Sequence, residues 1–167
     1  MSPLSVDYLS NTSGSIVIPV VELKKRVVQY YQEEYAGGEW NPDNNYNWVP
    51  GLFRDFTPRR SDTRIKFTAR FAHAWVVAGH AIGHWYFWAN GILYYYWSSS
   101  ATYLENGKAI EFEVPSWGTT SGRIGLQHRS YANDNHETRI HTTYYWDGVG
   151  RSTQNCRSHM MIEEILN

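Results

Sequence analysis

The side chains equipped for chemistry in this sequence are its seven histidines, its paired carboxylates and its one cysteine. His80 and His84 stand four apart, a spacing that brings two imidazoles onto one face only in a helix. Gly79 precedes them, Ala81-Ile82-Gly83 leads into a strand-like run, and no Glu follows His80 as an HExxH motif requires. His73 and His141 fall within predicted strands. All four read as hydrogen-bonded core or interface histidines, and no metal site is expected. Paired carboxylates cleave glycosidic bonds when burial keeps one of them protonated. Glu33-Glu34, Glu111 with Glu113, and Glu163-Glu164 are the candidates. Glu111 and Glu113 alternate with apolar residues, which puts them on the solvent face of a strand, where nothing raises a carboxyl pKa. Cys156 is alone, so no intrachain disulfide forms, in keeping with a chain made in a reducing cytoplasm. There is no GxSxG elbow, phosphate loop, dinucleotide fingerprint or zinc-knuckle spacing. The expectation is a protein that is not an enzyme and holds no cofactor.

Recognition chemistry is better represented. The segment Glu39–Trp48 interleaves aromatics with amides, and Trp40, Asn44, Tyr46 and Trp48 are its candidate contact residues. A second such segment, Tyr131–His136, contributes Tyr131, Asn133 and Asp134. Aromatic rings stack on sugar rings or flat partner surfaces, while amides supply directional hydrogen bonds. Asn and Asp also favour loops for their own backbone chemistry, so ordinary turns are the competing reading of both segments.

The elements that must position these loops are strands. The chain holds 8 Trp, 13 Tyr and 6 Phe, and aromatic and β-branched residues favour half-buried pleated surfaces. In Ile65–Phe71 the residues Ile65, Phe67, Ala69 and Phe71 share one face, and Lys66, Thr68 and Arg70 the other. Ile110, Phe112 and Val114 alternate with Glu111 and Glu113, and Ile124 and Leu126 with Arg123 and Gln127. Asn90-Gly91, between Ile82–Ala89 and Ile92–Trp97, has the residues of a two-residue hairpin turn. Asn106-Gly107 predicts a turn before Ala109–Val114, Asp147-Gly148 the end of a strand Arg139–Trp146, and His159–Leu166 a closing strand. Turns every 8–12 residues or so imply an all-β antiparallel sandwich of jelly-roll type over residues 26–167. Residues 1–25 read as an extended N-terminal arm. Within Val20–Tyr35 the spacing of Val20, Leu23, Val27 and Tyr30 also suits a short helix, whereas Val28, Tyr30 and Gln32 suit a strand.

Charge excludes some partners. With 15 basic and 16 acidic residues the net charge is -1, which gives no electrostatic footprint for nucleic acid or a membrane surface. Residues 1–15 lack the charged start and apolar run of a signal peptide, and apolar runs such as Ile16–Val21 are too short to span a bilayer.

With the strands laid out in order, the chain resembles the small β-sandwich domains of tail-fibre and other structural proteins of marine phages, including cyanophages. Leu4–Gly14 is similar to the leader that precedes these domains, and Val27-Val28-Gln29 to the start of their first strand. Pro50-Gly51-Leu52, Phe56-Thr57-Pro58 and Asp62–Ile65 resemble their second strand, turn and third strand. Gly125–Arg129 and Ser158–Ile165 fall where they carry a late and a closing strand. The resemblance implies a sandwich related to the tumour-necrosis-factor jelly roll, a homotrimer, a place on the virion exterior after assembly in the host cytoplasm, and no catalysis. It transfers no site residues, and Glu33–Trp48 is longer and more aromatic than in the family. The function expected is a tail-fibre or spike-type module that touches a host surface glycan or protein. The alternative is a capsid decoration protein or a small tail or collar component, gripping other virion proteins by the N-terminal arm.

Overall fold

The computed structural model describes residues 8–10, 17–19, 27–75, 81–101, 105–130, 138–146 and 151–167. Two antiparallel sheets build the body, and there is no helix among the described residues. The first sheet has the order β3 (Val27–Tyr35), β13 (Ser158–Leu166), β5 (Thr63–Trp75) and β8 (Glu105–Pro115), and β10 (Thr138–Ile140) pairs with the far end of β5. The second has the order β4 (Asn47–Phe56), β9 (Gly122–Ser130), β6 (Ala81–Ala89) and β7 (Ile92–Ala101). Two short pairs complete the inventory, β1 (Tyr8–Ser10) with β2 (Val17–Pro19) and β11 (Thr142–Trp146) with β12 (Arg151–Asn155).

The pairings are nested. β3 pairs with β13, β4 with β9, β5 with β8, and β6 with β7. The chain is therefore one long hairpin folded over itself, with successive strand pairs falling alternately in the two sheets.

Period-two patterning explains why these segments pair face to face. Ile65, Phe67, Ala69 and Phe71 of β5, Trp85, Phe87 and Ala89 of β6, Ile124 and Leu126 of β9, and Met160 and Ile162 of β13 are all buried together. Aromatic rings interlock across the gap. Phe87 lies 5.2 Å from Phe67 and 4.4 Å from Phe112, and Trp85 lies 4.9 Å from Phe71. Each fully buried ring contributes roughly 2 kcal/mol through the area it removes from water.

The hairpin at Asn90-Gly91 forms as its residues predict. Their φ angles are +49° and +76°, the doubly positive pattern of the tight turn that suits twisted strands. Asn106-Gly107 does not turn. β8 already begins at Glu105, because the end of β5 offers a ladder partner at His73, and a shifted register between Phe71 and His73 admits it. Ladder hydrogen bonds outweigh the local turn preference there. Val27–Tyr35 is a strand and not a helix, since β13 supplies backbone partners along its length. Val20 and Leu23 lie outside the described residues. Within residues 1–25, read from the sequence as an extended arm, β1 and β2 pair with each other, which satisfies the backbone polar groups on their facing edges.

The predicted strand Arg139–Trp146 is broken in two by His141, whose φ is +67°. Its N–H donates to Ala72 O at 2.9 Å, and its carbonyl accepts from Cys156 N at 2.8 Å. These bonds turn the chain from β5 toward β12. The ring is buried, with Nδ1 2.6 Å from Ser158 Oγ and its centroid 4.4 Å from that of Tyr35. Burial pulls its pKa down to about 4. Between about pH 6.5 and pH 4 the unfolded chain therefore binds a proton that the folded chain refuses. His141 stabilises the fold fully above this window, and the contribution disappears as pH falls through it. Denaturant melts are expected to lose about 3 kcal/mol of stability to this residue by pH 4, and His141→Asn to flatten that part of the profile. An unchanged slope in the variant would contradict this assignment. Asp147-Gly148, expected to close the same strand, lies outside the described residues.

Candidate functional site

Alternation on β6 sends Trp85 and Phe87 inward and His84, Tyr86 and Trp88 outward. The same rule acts on the neighbouring strands, and the register lines the outward residues into rows. Tyr96, Tyr86, Gln127 and Trp48 are successive cross-strand partners over β7, β6, β9 and β4. On one side of this row lie Ser98, His84 and Arg129, and on the other Leu93, Trp88, Gly125 and Phe53. The three rows span roughly 13 Å along the strands.

The rings on this face touch one another. Tyr46, just before β4, meets Tyr86 edge-on at 4.6 Å, and their hydroxyls are 2.9 Å apart. Tyr86 lies 5.5 Å from Tyr96, and Trp48 lies 5.4 Å from Phe53. Two arginines lie over the rings. The Arg129 guanidinium is 4.7 Å from the Tyr46 centroid, and that of Arg123 is 5.7 Å from Trp48 and 5.2 Å from Phe53. Arg123 donates to both oxygens of Asp55, at 2.7 Å and 3.1 Å. This pairing holds the Asp55 carboxyl below the usual carboxylate range. Burial, aided by the Tyr46 hydroxyl, pushes the Tyr86 phenol up to about 12, so it serves as a neutral hydrogen-bonding group. Burial and the Arg129 charge both lower the His84 pKa, which leaves that imidazole neutral near pH 7.

The loop before β4 is stapled by Asp43. One of its oxygens accepts from Asn45 N at 2.8 Å and Asn47 Nδ2 at 2.7 Å, and the other from Asn45 Nδ2 at 3.1 Å. The Asn45 backbone bond is the main cause of the lowered Asp43 pKa. The Asp43 carbonyl accepts from Ser130 N at 2.9 Å, which ties the loop to β9 and sets Tyr46 over the sheet.

Of the residues singled out from the sequence, Tyr46 and Trp48 belong to this face. Asn44 is exposed in the bend of the Asp43 loop. Trp40 does not join them. Its backbone exchanges two 3.0 Å hydrogen bonds with Ile140 and its indole packs against the core, so it is an anchor for the loop. Tyr131, Asn133 and Asp134 lie outside the described residues. Sequence reasoning missed Tyr86, Tyr96, Gln127, Arg123, Arg129 and Phe53. The signal was available in His84–Trp88, where aromatic residues occupy both faces of one strand and so cannot all be core. Five of the six carboxylates weighed for catalysis are committed to partners elsewhere. Glu111 pairs with Lys66 at 2.9 Å, Glu113 with Arg64 at 3.6 Å, Glu33 with Arg54 at 3.6 Å, and Glu34 with Arg157. Glu164 is buried and bonded to backbone.

What remains is a broad, amphipathic surface. It offers flat rings with hydroxyl, amide and guanidinium groups at their edges, the combination that sugars or partner side chains require.

No protein-family model matches the chain, and no curated protein matches it. Among solved structures, dimeric latent PorU from Porphyromonas gingivalis is similar over 83% of this chain at 12% identity, with a TM-score of 0.36. The chain spans 13% of the length of that protein.

Proposed function

We propose that this chain is a non-enzymatic binding module on the exterior of a virus particle, and that the outer face of its β4-β9-β6-β7 sheet holds a host-surface glycan. The observation that carries the binding reading is the row Tyr96, Tyr86, Gln127 and Trp48 with Tyr46 over it, a solvent-facing aromatic surface on a sheet whose other face already fills the core. The nested strand pairing supports a jelly roll, an architecture shared by viral capsid and lectin domains. The sequence resemblance to phage structural domains supports the particle. In this reading residues 1–25 attach the module to neighbouring virion proteins.

The expected result is that the isolated protein retains glycans from a panel. Trp48→Ala and Tyr86→Ala should each weaken binding about 10- to 100-fold while circular dichroism stays unchanged, a loss of ~1.4–2.8 kcal/mol. Retention of no glycan, or variants that bind as tightly as the parent, would refute the proposal.

One observation favours self-assembly as well. β7 is an edge strand among the described residues, and Ile92, Leu93 and Tyr95 on it are exposed large hydrophobics. An unpaired edge carrying such residues invites a partner chain. The proposal is a homotrimer that shields the β7 edge and leaves Tyr86 and Trp48 open. Sedimentation at micromolar concentration should give a trimer, and Leu93→Lys should shift it toward monomer. A parent protein that sediments as a monomer would contradict the trimer.

A further inference from the structure

We infer that the glycan held by this face carries a carboxylate, and that the Arg129 guanidinium receives it. The inference rests on the glycan-binding reading above and narrows its ligand class.

Two arginines on the same sheet face make the case by contrast. Arg123 lies over Trp48 and Phe53, and the chain supplies its counter-ion, the Asp55 carboxylate at 2.7 Å and 3.1 Å. Arg129 lies over Tyr46 in the equivalent way, at 4.7 Å, but no carboxylate pairs with it among the described residues. Its Nε is shut away from solvent and has no hydrogen-bond partner. Asp43, the acid of the adjoining loop, spends its oxygens on Asn45 and Asn47. The cross-strand partner of Arg129 is His84 and the ring beneath its guanidinium is Tyr46, and neither supplies an anion.

A half-buried guanidinium with no carboxylate partner among the described residues is an incomplete constellation, because desolvating a cation costs free energy that stacking on one ring only partly offsets. The planar fork of Arg suits a carboxylate in particular. A sugar ring stacked on Tyr86 and Tyr96 puts its substituents within reach of the Arg129 row. The class implied is a uronate- or sialate-type sugar in an otherwise neutral oligosaccharide. A nucleic acid is the poorer fit for a chain with a net charge of -1.

The test compares matched oligosaccharides that differ in one group: the carboxylate, its reduced alcohol, and a sulfate ester. The carboxylated member should bind at least tenfold more tightly than the alcohol, with the sulfate ester between them. Arg129→Gln should remove that difference, so that the carboxylate and the alcohol bind the variant alike. The ligand-side comparison uses only the intact parent protein, so it does not depend on the variant folding well. Equal affinities for carboxylate and alcohol, with binding still sensitive to Tyr86→Ala, would overturn this inference and leave the glycan platform standing. A carboxylate preference abolished by Arg70→Gln and untouched by Arg129→Gln would overturn it by placing the anion on the other sheet. Failure of every glycan to bind would remove both readings.

Discussion

Gly125→Ala is expected to destabilise the sandwich by about 3–5 kcal/mol, the sum of backbone strain and overpacking. Gly125 sits on β9 with φ at +147°, a conformation that side-chain-bearing residues rarely adopt. A Cβ there would stand 2.3 Å from Leu52 O and 2.4 Å from Phe53 Cα. Both obstacles are backbone, so no side-chain rotation relieves them. They belong to the irregular stretch of β4 where its register against β9 shifts between Trp48 and Phe53. Moving that stretch would pull Leu52 out of the core and Trp48 and Phe53 out of their places on the binding face. For a chain of this size the melting temperature should fall by roughly 10 °C. Chemical denaturation is the check, and a change within about 0.5 kcal/mol of the parent would show that β4 does not press on β9 as described.

Glu164→Ala should cost about 3 kcal/mol, for a different reason. Glu164 is fully buried although it is a carboxylate, and the loop before β5 supplies its partners. Arg59 N and Arg60 N donate to its two oxygens at 2.8 Å and 2.9 Å, and Thr63 Oγ1 donates at 2.8 Å. Removal of the carboxylate strands the two backbone donors at once, while the Thr63 hydroxyl keeps the Arg60 carbonyl at 3.1 Å as an acceptor. Glu164→Gln should cost less, since one oxygen remains to accept, yet its amide group faces a donor. Hydrogen exchange at the Arg59 and Arg60 amides should speed up in both variants. Preserved protection at those amides in Glu164→Ala would show that the loop is held by something else.

Most of the sandwich was legible because its strands have one wet face and one dry one. Ile65–Phe71 alternates cleanly, and its inward residues Ile65, Phe67, Ala69 and Phe71 are all buried. Asn90-Gly91 was legible because two adjacent positive φ angles demand those residue types. Asn106-Gly107 misled for the complementary reason: the same residues tolerate a strand when a partner waits, and the partner at His73 lies more than 30 residues away in sequence. The break at His141 was hidden similarly, since Ala72 and Cys156, which hold its backbone, are remote along the chain.

The candidate site was half legible. Tyr46 and Trp48 stood out because amides surround them, the mark of an exposed loop. Tyr86 and Tyr96 did not, because in a strand an outward tyrosine and an inward one look alike until register fixes the face. Trp40 stood out for the same reason as Trp48 yet packs inward, tied by its backbone to Ile140. Arg129 became informative only beside Arg123, which has a carboxylate at hand where Arg129 has none among the described residues.

The central claim is that the ligand lies on the outer face of the β4-β9-β6-β7 sheet. Titration of the isotope-labelled protein with a bound glycan from the panel, followed by nuclear magnetic resonance, tests it most directly. The largest shifts are expected at the Trp48 and Trp88 indole N–H groups, the Gln127 side-chain amide and the rings of Tyr46, Tyr86 and Tyr96. Shifts centred instead on Gln32, Thr68 and Met161 of the opposite sheet, or on the Trp40 anchor, with the Tyr86 row unmoved, would contradict it.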